Sequence, residues 1–302
     1  MDVLITNDVE EVSIVNNNLN STIAKKVAMK GLPRLLALYS KYNVVSTFYF
    51  TATFAKRFPE CVIQVLKKGH EVGCHGYSHL PKHSFDILTV KDQFHHLYHS
   101  KIAIEKIAGP IEAFRAPALR INNYTLPILE KLGFKTDSSV ASRRFDGPFT
   151  FGAFRKLNWL LSPRLPYHPS YRSPFLRGNM NILEISPSAV LAGFQGTTMR
   201  IAPNLNQIIG KFLVNESKKI NKPIVFLFHP TEVVKEKQDG HLNRRSKSLL
   251  GYIFGDLIRR KLKLKNLGRA SLRMHEQLLK DLKIAGATFL SAKQYRVKIN
   301  GK

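Results

Sequence analysis

The chain has 302 residues, 44% of them hydrophobic, which is enough for one large α/β domain or two smaller ones. Its two cysteines, Cys61 and Cys74, exclude a disulfide scaffold, and no apolar run reaches membrane-spanning length. Lys and Arg number 47 against 21 Asp and Glu, a formal charge of +26 that favours an anionic partner or leaves a generally basic surface.

The chain begins Met1-Asp2-Val3-Leu4-Ile5, with no basic and apolar leader ahead of it. The expectation is therefore a cytoplasmic protein, in one variant peripheral at the inner membrane face. Residues 2–6 read as a strand ending in an acidic cluster that includes Asp8, Glu10 and Glu11. The polar run 16–22 reads as a loop, and Pro33 opens a helix with apolar positions 32, 35, 36 and 39 on one face. Val44–Phe50 is β-branched and aromatic, hence a strand. Pro59 starts a second helix, which Lys67-Lys68-Gly69 ends. The strand His70–Cys74 then delivers His75, with His79 four residues on.

Further along, 89–108 and 123–132 read as helices, and 111–115 and 134–140 as strands. The order is β-α repeated, with polar residues gathered after strands. That predicts a parallel barrel or a doubly wound sheet whose site lies at the strands' C-terminal ends. Residues 141–180 are rich in Pro, Arg and aromatics and read as a long irregular functional loop. A strand at 181–186, a helix at 204–220 and the apolar strand 223–228 follow, the last delivering His229-Pro230-Thr231-Glu232. Residues 235–273 hold twelve Lys or Arg against three acidic residues around an apolar centre, Leu249–Phe254. That pattern fits docking on anionic lipid, or a solvated helix with part of its face in the core. A helix at 268–285 and a strand at 288–290 close the chain. No RNP-like, helix-turn-helix or zinc-finger pattern accompanies the charge, so nucleic acid ranks below a membrane or a glycan as partner.

Four strand ends thus carry ionisable groups: Asp8 and Glu10, His75 and His79, Arg115, and His229. An H-x-x-x-H pair closes on one metal if the chain turns helically after the strand. Two histidines and a carboxylate make a common ligand set for a catalytic divalent cation. The remaining carboxylate is then free to act as base, Arg115 would keep that base ionised, and His229 could protonate a leaving amine. The parts describe metal-assisted hydrolysis of an amide.

Five segments carry a family resemblance: Thr6-Asn7-Asp8-Val9-Glu10, Ser46–Phe50, Gly69–His79, Phe114-Arg115-Ala116-Pro117 and Phe226–Glu232. In this order they resemble the polysaccharide deacetylases (NodB-homology, carbohydrate esterase family 4). Asn7-Asp8-Val9-Glu10 looks like the Asp-x-Glu branch, which includes exopolysaccharide-cluster deacetylases. The resemblance implies a distorted (β/α)7 barrel spanning 1–302 as a single domain, with a basic segment at about 235–267 inserted before the final helix and strand. It implies hydrolysis of N-acetyl groups on a polysaccharide or lipid-linked amino sugar, with one divalent metal ion, usually zinc. The arginine matching Arg115 restrains the base, and the histidine matching His229 is the acid. Residues 8 and 10 share a strand face. Asp8 is accordingly assigned as base and Glu10, with His75 and His79, as metal ligands; the swapped carboxylate roles are the rival. Glu232 either orients His229 or caps a helix. The alternatives are a non-catalytic carbohydrate binder of the same fold, or a deacylase of a small non-sugar amide.

Overall fold

The central strand is β1 (Asp2–Val9), whose last seven residues are all buried. The computed structural model describes residues 1–15, 18–145, 154–236, 252, 257 and 259–301. After β1 come β2 (Ser46–Phe50), β3 (Glu71–Cys74), β4 (Ala113–Phe114) and β5 (Thr136–Asp137). A ribbon of β6 (Pro169–Ser170) and β7 (Ser173–Arg177) precedes β8 (Leu183–Glu184). A second ribbon, β9 (Ala189–Val190) and β10 (Ala192–Gly193), precedes β11 (Ile224–Phe228) and β12 (Thr288–Phe289).

The main sheet runs in the order β11-β1-β2-β3-β4-β5-β8, with β12 also on β1, and these pairings are parallel. Parallel strands are covered on both faces, so their sequences are continuously apolar rather than alternating. β11, Ile-Val-Phe-Leu-Phe, is buried at every position. Between β8 and β11 the wall is completed by irregular chain. Ser188 N donates to Val225 O (3.0 Å), Val225 N donates to Ser188 Oγ (2.9 Å), and Gln195 bridges to Leu227. The architecture is a distorted (β/α)7 barrel.

The helices pack outside the sheet. α1 (Ser21–Lys26) passes through one π-helical turn, Val27–Gly31, into α2 (Leu32–Tyr42). The helix thus starts twelve residues before Pro33, because the Asn20 side chain accepts from Ile23 N and caps it. α3 (Ala52–Arg57), capped by Thr51, and the closing helix Ala292–Asn300 were not anticipated either. α4 (Pro59–Lys67), α5 (Val90–Ala108) and α6 (Thr125–Lys131) fall where periodicity predicts them. α7 (Gly196–Ile201) and α8 (Pro203–Ile220) lead to β11, and Arg269–Ile284 leads to β12. The expected irregular stretch 141–180 contains a 3-10 segment at Phe154–Leu160 and the β6–β7 ribbon; residues 146–153 lie outside the described residues. Most of the expected basic insertion at about 235–267, including Leu249–Gly251 and Ile253–Phe254, likewise lies outside them.

Candidate active site

Strand alternation places Thr6, Asp8 and Glu10 on one side of β1 and Asn7 on the other. The contacts obey it. Asn7 donates to Ser46 Oγ (2.7 Å) and accepts from Tyr39 OH (2.8 Å), away from the ionisable cluster. Asp8 and Glu10, both buried, face the residues that follow β3, β4 and β11. All these groups lie at C-terminal strand ends, the face where parallel barrels assemble chemistry.

Arg115 follows β4 and is fully buried. Its Nη1 donates to Asp8 Oδ1 (2.9 Å) and Thr6 Oγ1 (2.9 Å). Its Nε donates to Ser138 O (3.0 Å), its Nη2 to Ser138 Oγ (2.7 Å), and its plane lies 4.5 Å from the Tyr49 ring centroid. A buried guanidinium needs this many partners to offset its lost hydration. Burial alone would raise the Asp8 carboxyl; Arg115 above all, then His75 and His229, outweigh it and hold the group below its usual range. Asp8 Oδ1 is thus committed to Arg115. Its other oxygen, Oδ2, lies 3.9 Å from His75 Nε2 and 3.8 Å from His229 Nε2.

Glu10, His75 and His79 bring one ligand atom each within 4.8 Å of one another. His75 Nδ1 donates to Arg115 O (2.8 Å), so its Nε2 carries the bare lone pair, 3.7 Å from Glu10 Oε2. His79 Nε2 lies 3.4 Å from that same oxygen. Glu10 Oε2 is buried and has no hydrogen-bond partner among the described residues. An orphaned carboxylate oxygen between two imidazoles fits a divalent cation, which would satisfy all three. Burial keeps the His75 imidazole neutral despite the nearby Asp8 and Glu10, as a ligand requires.

The two histidines do not sit on a helical turn, which corrects the expectation from their spacing. Gly76 adopts φ +72°, a left-handed conformation open to glycine, and folds the loop back. The loop is then pinned by the start of α3: Ala52 N donates to Gly76 O (2.9 Å) and Thr53 N to Tyr77 O (3.0 Å).

His229 follows β11. Its Nδ1 donates to Glu232 Oε1 (3.2 Å), which favours the orienting role of Glu232 over a cap. Burial opposes charge on this imidazole, but Glu232, Asp8 and Glu10 together raise its pKa to about 9. Every sequence-derived site residue therefore joins one cluster. The other histidines singled out from the sequence stay out of it. His70 packs between Tyr39 and Phe48, His83 bonds Ser78, His96 lies against His83, and His95 and His99 are exposed. Asp137 and Glu184, paired across β5 and β8, are fully buried, and burial raises both carboxyls above their usual range. Sequence reasoning missed Tyr49, Ser138 and Arg200. Polar Ser138 after a strand was a weak signal; Tyr49 and Arg200 gave none.

Comparison with known proteins agrees with this fold. Residues 27–136 match the family described as polysaccharide deacetylase. The peptidoglycan deacetylase of Helicobacter pylori is 34% identical over 116 residues, covering 38% of this chain and 39% of that relative. The matched stretch is thus less than half of the relative's length. A probable polysaccharide deacetylase from Pseudomonas aeruginosa PAO1 shares the fold with TM-score 0.58 and 14% identity, covering 96% of this chain and 88% of that one. A putative polysaccharide deacetylase from Mycobacterium smegmatis does so with TM-score 0.54 and 18% identity, covering 95% and 93%.

Proposed function

Residues 27–136 match the polysaccharide deacetylase family, and we propose that the chain is a metal-dependent hydrolase of that family, removing N-acetyl groups from the amino sugars of a glycan such as peptidoglycan. One observation carries the reading: the orphaned Glu10 Oε2 between His75 and His79, beside an Asp8 held by Arg115 and facing His229.

Glu10, His75 and His79 would hold the cation, and zinc suits two imidazoles and a carboxylate. When bound, it polarises the acetyl carbonyl and acidifies water. Asp8 Oδ2 takes a proton from the attacking water while Arg115 holds Oδ1, so the base stays ionised and aimed. The water oxygen bonds to the acetyl carbon. His229, charged at neutral pH, then gives its Nε2 proton to the amide nitrogen as the C–N bond breaks. Acetate and a free amine result. The proton held on Asp8 restores His229, whose Nε2 is 3.8 Å away.

The test is direct. The purified protein binds about one divalent ion per chain and releases acetate from N-acetylglucosamine oligomers. His79→Ala loses the ion with its thermal unfolding little changed. Full metal content and full activity in that variant would remove His79 from the site and sink the reading.

A further inference from the structure

We propose that Arg200 is a positioning residue for this deacetylation, acting through Glu232 to fix which nitrogen of His229 carries the transferable proton. The inference rests on the reading above and adds the groups that hold the acid in its donating form.

Arg200, near the end of α7, is 1% exposed. Its Nε donates to Glu232 Oε2, and its Nη1 donates to Lys263 O (2.7 Å) and Lys265 O (2.8 Å). Its own carbonyl accepts from Asn266 Nδ2 (2.8 Å). The guanidinium is therefore fixed at both ends: on the backbone of 263–266 and on one carboxylate. Glu232 is equally confined. It is 2% exposed, its backbone O accepts from Gly268 N (2.9 Å), and its second oxygen, Oε1, meets His229 Nδ1 (3.2 Å).

A carboxylate only accepts, so His229 Nδ1 must carry a hydrogen and its exchangeable proton resides on Nε2. That nitrogen faces Asp8 Oδ2. As the C–N bond breaks, the nitrogen takes the Nε2 proton and the imidazole becomes neutral, still donating through Nδ1–H to Glu232. Arg200 keeps Glu232 ionised throughout, so the Nδ1 proton stays on the ring. α7 supplies both the room and the clamp. A Cβ at Gly196 would collide with Glu232 Oε1 and the Phe228 ring, and Arg200 follows one helical turn later.

The test compares metal-loaded wild type, Glu232→Gln and Arg200→Lys on an N-acetylglucosamine oligomer and on 4-nitrophenyl acetate, whose phenolate leaves without a proton. Metal content and thermal unfolding are measured for each. Glu232→Gln should lose roughly 10²-fold in kcat on the amide. Its KM should hold within about twofold and its kcat on the aryl ester within about threefold. Arg200→Lys should lose less, because an ammonium keeps the charge but cannot span Glu232 and two carbonyls. Equal losses on both substrates, or full activity on the amide, would overturn the proposal. Imidazole NMR reads the same point without turnover: the His229 Nδ1–H resonance should move upfield in Glu232→Gln. An unshifted resonance overturns the positioning role even if the wild type proves inactive on glycans, and that inactivity would count against the proposed function alone.

Discussion

At the residue scale, the site separates two carboxylates that stand two positions apart on one strand. Asp8 spends one oxygen on Arg115, whereas Glu10 leaves Oε2 bare between His75 and His79. That asymmetry predicts different failures. Asp8→Asn should bind the metal nearly as wild type while kcat falls roughly 10²- to 10⁴-fold, since Asn still accepts from Arg115 but takes no proton. Glu10→Gln should lose metal affinity by one order of magnitude or more, because a neutral amide oxygen replaces the charged ligand. Metal content measured alongside kcat separates the two. The reverse pattern would assign Asp8 as ligand and Glu10 as base. Position 8 and 10 were readable from strand alternation, and His75 and His79 from spacing. What the spacing misjudged was the backbone between them, because a left-handed Gly76 brings two side chains together as effectively as a helical turn.

At the element scale, the helix Arg269–Ile284 buries His275 against β11. The ring stacks on Phe228 at 4.3 Å between centroids and 6° between planes, and its Nε2 meets Tyr39 OH (3.1 Å). Burial lowers its pKa to about 3, and burial then the Lys68 charge lower that of His70 to about 4. Both folded values lie below the unfolded value near 6.5. Between them the unfolded chain binds more protons, so stability rises with pH there and is lost on acidification. Denaturant unfolding should therefore weaken from about pH 6.5 toward about pH 4, by up to ~1.4 kcal/mol per pH unit for each histidine. His275→Gln should flatten that slope, and an unchanged slope would show that His275 is not the sensor. The elements misread from sequence share one cause. α1 begins at a cap, Asn20, within a polar run, and Ala292–Asn300 begins at the capping box Ser291–Gln294, so both starts are marked by hydrogen bonds rather than by a strong apolar stripe.

At the scale of the whole molecule, the two chain ends are tied together. Thr288 N donates to Met1 O (2.8 Å), β12 pairs with β1, and Lys298 Nζ meets Asp2 Oδ1 (2.7 Å). The strand that carries Asp8 is thus held by the last residues of the chain. We propose that 1–302 folds as a single domain, which predicts one calorimetric transition; two resolved transitions would separate a second unit. The sequence by itself determined the parallel β-α order and the ionisable strand ends, because strand periodicity and metal-ligand chemistry are local properties of a few adjacent residues. The pairing of Arg115 with Asp8 across 107 positions follows the sequence-based expectation. Only the tertiary structure decided the partners behind the site: Ser138 holds Arg115, and Arg200 reaches Glu232 across 32 positions. An arginine on a short helix looks like any solvated cation until folding buries it, and burial then compels it to find a carboxylate.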